Sequence, residues 1–229
     1  MQVIDWIDNG GWTDHPECVH PVLRRLAISV NDTLDDRGRQ RLLDLTPRLI
    51  GTASGDKTLA VRLAVFCARR VLHIFEKANP NDDRARRAIE SAERWLSGET
   101  AVAAAAARAA SWDAARAAAA AYAAAYAAAA FDHSSGAAYA AAAYDHSSGA
   151  AYAAAYAAAA AAYDHAYAAS SGAASYAASA AAHAFHAAPD AAQLLLDVLD
   201  EYERITERVD VCPVDLQPVA EMMADLTRV

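Results

Sequence analysis

A chain of 229 residues is long enough for one sizeable core or two small ones, and its 55% hydrophobic content suits a folded interior, although much of that fraction is alanine. No run of bulky apolar residues approaches the roughly 20 needed to cross a bilayer, and the opening MQVIDWIDNGG has neither a basic start nor an apolar leader core, so we expect a soluble cytoplasmic protein without a membrane partner. The net charge of −9 is uneven: residues 1–116 carry +1, 117–188 carry −3 and 189–229 carry −7, which argues against nucleic acid or anionic lipid and would steer a basic protein toward the C-terminal end.

Helix signals dominate from the start, and no period-two strand pattern stands out. Around residues 21–32, Val22, Leu23, Leu26, Ala27 and Val30 recur at helical spacing and Pro21 suits a first turn. Leu42, Leu43 and Leu45 precede Pro47, which can kink that helix or begin another turn, and Gly51 provides a stop. The strongest element follows, with Asp56 as N-cap, an apolar stripe of Leu59, Leu63, Phe66, Cys67, Val71 and Ile74, and an end at Asn79 and Pro80. A second helix begins at Asp82 or Asp83, carries Ala88, Ile89, Ala92 and Leu96 on one side, and ends before Gly98, so an αα-hairpin is expected over about residues 56–97.

From about residue 99 the chain becomes alanine with sparse aromatics, and Trp112, Tyr122 and Tyr126 fall within about 80° of helical arc. A thirteen-residue unit containing DHSSG then occurs twice over residues 126–151, differing at Phe131 and Tyr144. Serine and glycine are poor in helix interiors and glycine is a common C-terminal stop, so both DHSSG units are expected to break the helix, with a restart near Gly149. After that restart, Tyr152, Tyr156, Tyr163 and Tyr167 share about 60° of arc at an eleven-residue period and are expected, together with Trp95, as packing residues. A further helix after the SSGA at 170–173 places Tyr176, Ser179, His183 and His186 on one polar stripe. The last elements are a helix from Pro189 with Leu194, Leu195, Val198 and Tyr202 inward, and a short helix after Pro213.

Three groups could carry chemistry. The pairs Asp132–His133, Asp145–His146 and Asp164–His165 combine residue types that ligate metals, but neighbours at i,i+1 do not share a helix face, and tandem duplication also explains their recurrence. His15, Cys18 and His20, with Asp14, suit zinc by type but not by spacing; the plain alternative is a proline-bounded helix start capped by Asp14. Cys18, Cys67 and Cys212 form no CxxC pair, as expected of reduced thiols. No nucleophile elbow, phosphate-binding glycine loop, HExxH or dinucleotide fingerprint is present, so neither catalysis nor a cofactor is expected. Alanine-rich helices with an eleven-residue spacing resemble fish-type antifreeze helices, but residues 117–188 lack the regular threonine of that type.

Residues 58–100 are similar to the opening of bacterial immunity proteins from polymorphic-toxin systems. The resemblance rests on Cys67, Ala68, Leu72, Phe75 and Glu76 at one helix end, a Pro80–Asp82–Asp83 turn, then Arg84, Arg87, Ala88, Ile89, Glu90, Ala92, Trp95 and Gly98. It implies a helical protein that binds and blocks a cognate toxin by occlusion. Asp82, Asp83, Arg84, Asp197, Asp200, Glu201 and Glu203 are then the candidate partner contacts, because an acidic protein can cover a basic cleft.

The expectation is therefore an all-α bundle or array. It comprises an N-terminal helical segment over 1–55, an immunity-like region with Ala/Tyr repeats over 56–188 and an acidic helical segment over 189–229. A helical scaffold, or a metal-binding protein using the Asp–His pairs, are the alternative functions.

Overall fold

The computed structural model describes residues 15–98, 105–119, 135–162, 167–185 and 188–208, and these are helical throughout apart from turns and connections. No strand occurs among them. The elements are α1 (Pro21–Thr33), α2 (Asp36–Leu42), a 3-10 turn (Leu43–Leu45), α3 (Thr46–Leu49), α4 (Lys57–Ala78) and α5 (Arg84–Leu96). They are followed by α6 (105–119), α7 (Ser135–Ala162), α8 (Tyr167–His183) and α9 (Ala188–Thr206).

The central helix is α4. It begins where the Asp56 carboxylate accepts the Thr58 N–H at 2.8 Å and ends where the Asn79 N–H reaches Phe75 O at 2.8 Å. Leu59, Leu63, Cys67, Val71 and Phe75 are fully buried, while Phe66 and Ile74 are half-buried at the edges of the same stripe. Helices α5, α7, α8 and α9 all pack on α4. The α4–α5 hairpin forms as its sequence dictates: Asp82 accepts the Arg84 N–H at 3.1 Å, Ala88, Ile89 and Ala92 face inward, and Gly98 takes φ +99 just past the end.

The N-terminal helix is anchored at its start. His20 caps α1, its Nδ1 accepting the Val22 N–H at 3.2 Å, a role the sequence had assigned to Asp14, which lies outside the described residues. An imidazole can do this because its neutral form carries one acceptor nitrogen. The His20 N–H donates to Thr52 Oγ1 at 3.0 Å and Tyr202 Oη donates to Thr52 O at 3.1 Å, so one threonine joins the start of α1, the turn after α3 and α9. Pro47 begins α3, and Gly51 ends it with φ +75. Val22, Leu23, Leu26 and Val30 pack with Leu194, Leu195, Val198 and Leu199 in the core.

The alanine-rich half differs from expectation at its punctuation. Helix α7 runs unbroken through the second DHSSG unit, Asp145 to Gly149, and α8 runs unbroken through Ser170–Gly172. Glycine in a helix interior costs only about 1 kcal/mol relative to alanine, and at Gly149 close contact between helices offsets it. A Cβ on Gly149 would stand 3.2 Å from Ala180 O and 3.3 Å from Ala184 Cα and N, so hydrogen is the only side chain that leaves the two backbones unmoved. Gly149 thus marks where α7 meets α8, not where α7 stops. Ala150, Ala153, Ala154, Ala157 and Ala161 on α7 and Ala174, Ala177, Ala178, Ala181 and Ala182 on α8 are all buried where these two helices pack on each other and on the rest of the bundle. Ser179, on the polar stripe of α8, is buried against α1, with its Oγ 2.8 Å from Ser29 Oγ. Residues after Pro213, where a short helix was expected, lie outside the described residues.

Candidate functional site

Four helices bring aromatic and arginine side chains to one surface. Tyr152 and Tyr156, one turn apart on α7, are half-buried against the alanine core, with ring centroids 6.2 Å apart and planes at 27°. Tyr156 stacks in turn on Tyr176 of α8 at 5.4 Å and 29°, and the Arg25 guanidinium of α1 lies 5.4 Å from the Tyr176 ring centre. The result is a ladder of three rings capped by a cation. Facing Tyr152 and Tyr156 across a groove of about 500 Å³ are Arg108, Ser111, Trp112 and Ala115 of α6. Trp112 is 68% and Tyr176 53% exposed, the two exposed large apolar side chains among the described residues.

The physical origin of the ledge lies in the alanines around it. Alanine side chains reach only one carbon from the backbone, so a tyrosine on the same helix projects past them and cannot be enclosed by a neighbour of equal height. Tyr152 and Tyr156 therefore bury one side and leave the other in the groove. Tyr163 and the side chain of Tyr167, the other half of the expected stripe, lie outside the described residues. Trp95 is half-buried, with Lys57 Nζ 4.4 Å from its ring centre.

The acidic residues expected to meet a partner are engaged within the chain. Arg48 donates to Asp200 Oδ1 at 2.6 Å and forms a two-pronged pair with Glu203 at 2.8 Å on each prong. Hydrogen bonding to Glu203, ahead of that to Asp200, raises the Arg48 pKa above its usual value. Asp197 pairs with Arg70, Glu201 with Arg204 and Asp83 with Arg87. Asp82 pairs with Arg84 at 2.6 Å, and the hydrogen bond from Arg84 holds its carboxyl below the usual carboxylate range. All seven sequence-assigned contact residues thus take part in local or tertiary ion pairs.

Among the described residues, the candidate metal ligands form no cluster. His15 is exposed, Cys18 half-buried and His20 wholly buried, and no group of three or more His, Cys, Asp or Glu able to hold a metal occurs among the described residues. The side chains of His133, His146 and His165 lie outside the described residues, as does His186. His183 Nδ1 lies 2.7 Å from Ser179 O, a bond within α8. Burial lowers the His20 pKa to about 4 against the opposing attraction of Asp56, so the ring is neutral at ordinary pH; its Nε2 has no hydrogen-bond partner. Burial likewise pushes the Cys67 thiol up to about 12, leaving it a protonated core side chain and not a nucleophile.

Comparison with protein-family models, with curated proteins and with solved structures finds no match. The ledge accordingly stands on its own geometry. Sequence reading had picked out Tyr152, Tyr156 and Trp112, but as packing residues; Tyr152 and Tyr156 are only half-buried and line the groove, and Trp112 is exposed. It missed Arg25, Arg108 and the exposed role of Tyr176. The available signal was Arg108 one turn before Trp112, a cation and an indole on the same helical face. No helix among the described residues is long and apolar enough to cross a membrane.

Proposed function

We propose that this chain is a non-catalytic helical module that binds another protein through the aromatic ledge, and that the partner is a cognate toxin which it neutralises by occlusion. The observation that carries the reading is the concentration of Trp112, Tyr152, Tyr156 and Arg108 on one solvent-facing groove, continued beside it by Tyr176 and Arg25. Trp, Tyr and Arg are the residue types that most often supply binding hot spots, because each covers a large area with few rotatable bonds or a rigid donor edge. Trp112 leaves most of its surface in solvent, and covering it would gain the transfer energy that the free protein forgoes.

The immunity reading draws support from the α4–α5 hairpin, which has the form that the resembling stretch implies. In this reading the acidic residues of α9 and of the Asp82–Asp83 turn act through the field of the whole chain, whose net charge of −9 speeds the approach of a basic partner. Contact energy comes from the ledge instead, since those carboxylates are engaged with Arg48, Arg70, Arg84, Arg87 and Arg204.

The test is capture of partners from native cell extract by the tagged full-length chain, alongside Trp112→Ala. A stoichiometric protein whose toxicity is suppressed by the wild type, and whose affinity drops at least tenfold with Trp112→Ala, is the expected result. A partner held equally well by both forms would remove the ledge from the reading, and a harmless partner would remove the toxin.

A further inference from the structure

We infer that the segment docking on the ledge is acidic and apolar at once, a peptide stretch presenting a bulky aliphatic or aromatic side chain within a few residues of an Asp or Glu. The inference rests on the protein-binding reading above and adds the chemistry of what is bound. It comes from the charge census of the surface. The groove is lined by Arg108, Ser111, Trp112, Ala115, Tyr152, Ala155, Tyr156 and Ala159, and no carboxylate is among them. Its tyrosine wall continues through Tyr176 to Arg25. On a chain of net charge −9, the charged side chains described on this aromatic surface, Arg108 and Arg25, are both cations.

The geometry of Arg25 gives that sign a function. Its guanidinium carbon lies 5.4 Å from the centre of the Tyr176 ring, a cation–π contact that localises the group on this surface. The guanidinium N–H fork matches the two oxygens of a carboxylate. Held at the ring, Arg25 has less rotamer freedom to lose when a carboxylate binds. Along the ladder, Tyr156, Tyr152 and Trp112 form the apolar walls where a large side chain lies beside aromatic faces. An extended or helical segment that places its carboxylate on Arg25 runs its neighbouring side chains over these rings. A cationic segment would meet Arg25 as a like charge and is disfavoured. The protein bearing the segment can still be basic overall, because exposed charges more than about 10 Å apart are largely screened at 0.1 M salt.

The experiment is selection of a phage-displayed random twelve-residue peptide library on the full-length protein. Selected peptides are then titrated by isothermal titration calorimetry against wild type, Trp112→Ala, Arg25→Glu and Arg25→Lys, each first shown by circular dichroism to keep the wild-type melting curve. The expected result is enrichment of peptides pairing Asp or Glu with Trp, Phe or Leu. Their affinity should fall at least tenfold in Trp112→Ala and in Arg25→Glu, and much less in Arg25→Lys. Peptides that lose affinity in Trp112→Ala but are basic or uncharged, or are indifferent to Arg25→Glu, would overturn the acidic assignment and leave the binding surface standing. Absence of any Trp112-dependent peptide would overturn both. Light scattering at the same concentrations covers the remaining occupant: a dimer that dissociates in Arg25→Glu would assign the ledge to a second copy of this chain and overturn the peptide proposal.

Discussion

The two halves of this protein hold themselves together by different means. Around α1, α4 and α9 the interior is Leu, Val, Ile and Phe, and Leu23, Leu26, Leu63, Phe75, Leu194 and Leu199 are enclosed almost completely. Between α7 and α8 the interior is alanine, interrupted by Gly149, and the Ser29–Ser179 hydrogen bond ties α8 to α1. In the first half stability comes from large transfer energies, each fixed to one residue. In the second it comes from many small contributions, high helix propensity and the absence of side-chain entropy to lose. The comparison teaches where function can sit. Bulky cores enclose their aromatics, whereas alanine cores are too shallow to do so, and the tyrosines of α7 and α8 emerge as a ledge.

The contrast can be broken most directly by truncation. Phe75→Ala should cost about 3–5 kcal/mol in urea unfolding, while Ala177→Gly, at an equally buried position of α8, should cost only about 1 kcal/mol. Equal losses would mean that the alanine half depends on single contacts after all. Next in size is a pH effect confined to the bulky half. The native His20 pKa of about 4 lies below its ordinary value of 6.5. The unfolded chain therefore binds the extra proton first, and stability present above pH 6.5 is lost as pH falls toward 4, by about 3 kcal/mol. His20→Asn keeps a capping acceptor without the titration, and subtracting its pH profile from that of the wild type should isolate this loss.

Overfilling probes the alanine half from the other side. Ala177→Leu forces apart helices whose separation is set by alanine and should cost about 1–3 kcal/mol, with a lowered melting temperature as the readout. The smallest effect is the sharpest comparison, because it uses the same residue in the same SSG context. Gly172 has no atom within 4 Å of a would-be Cβ, so Gly172→Ala should stabilise by about 0.5–1 kcal/mol through helix propensity alone. Gly149→Ala meets the backbone of Ala180 and Ala184 and should return none of that gain. A matching gain at both sites would show that close approach is not what Gly149 provides.

Much of the fold was legible because its signals are local. Pro47, Asp56, the Asn79 terminus and Gly98 act within one turn of themselves, and the structure uses each as the pattern implies. The buried face of α1 followed from spacing alone. The DHSSG and SSG stretches misled because serine and glycine carry only a weak local preference, which packing decided in favour of helix at Gly149. The ion pairs of the α9 carboxylates were hidden for the opposite reason. Their partners Arg48 and Arg70 stand more than a hundred residues earlier, at separations of 127 for Arg70–Asp197 and 155 for Arg48–Glu203, and no local pattern announces such pairs. The ledge fell between these cases. Tyr152 and Tyr156 announce themselves by an i,i+4 spacing, but their meeting with Tyr176, Trp112 and Arg25 is a product of the tertiary fold.

The alanine interface between α7 and α8 also bears on how this protein responds to temperature. Unfolding a region whose buried side chains are single methyl groups exposes less apolar surface for each peptide group released to water. Apolar exposure raises the heat capacity and peptide exposure lowers it, so this half should add less than the usual increment of about 12–15 cal/mol/K per residue. A smaller increment flattens the curve of stability against temperature. The helices around Gly149 and Ala177 should therefore lose less on cooling than the leucine-filled core against which α4 holds them.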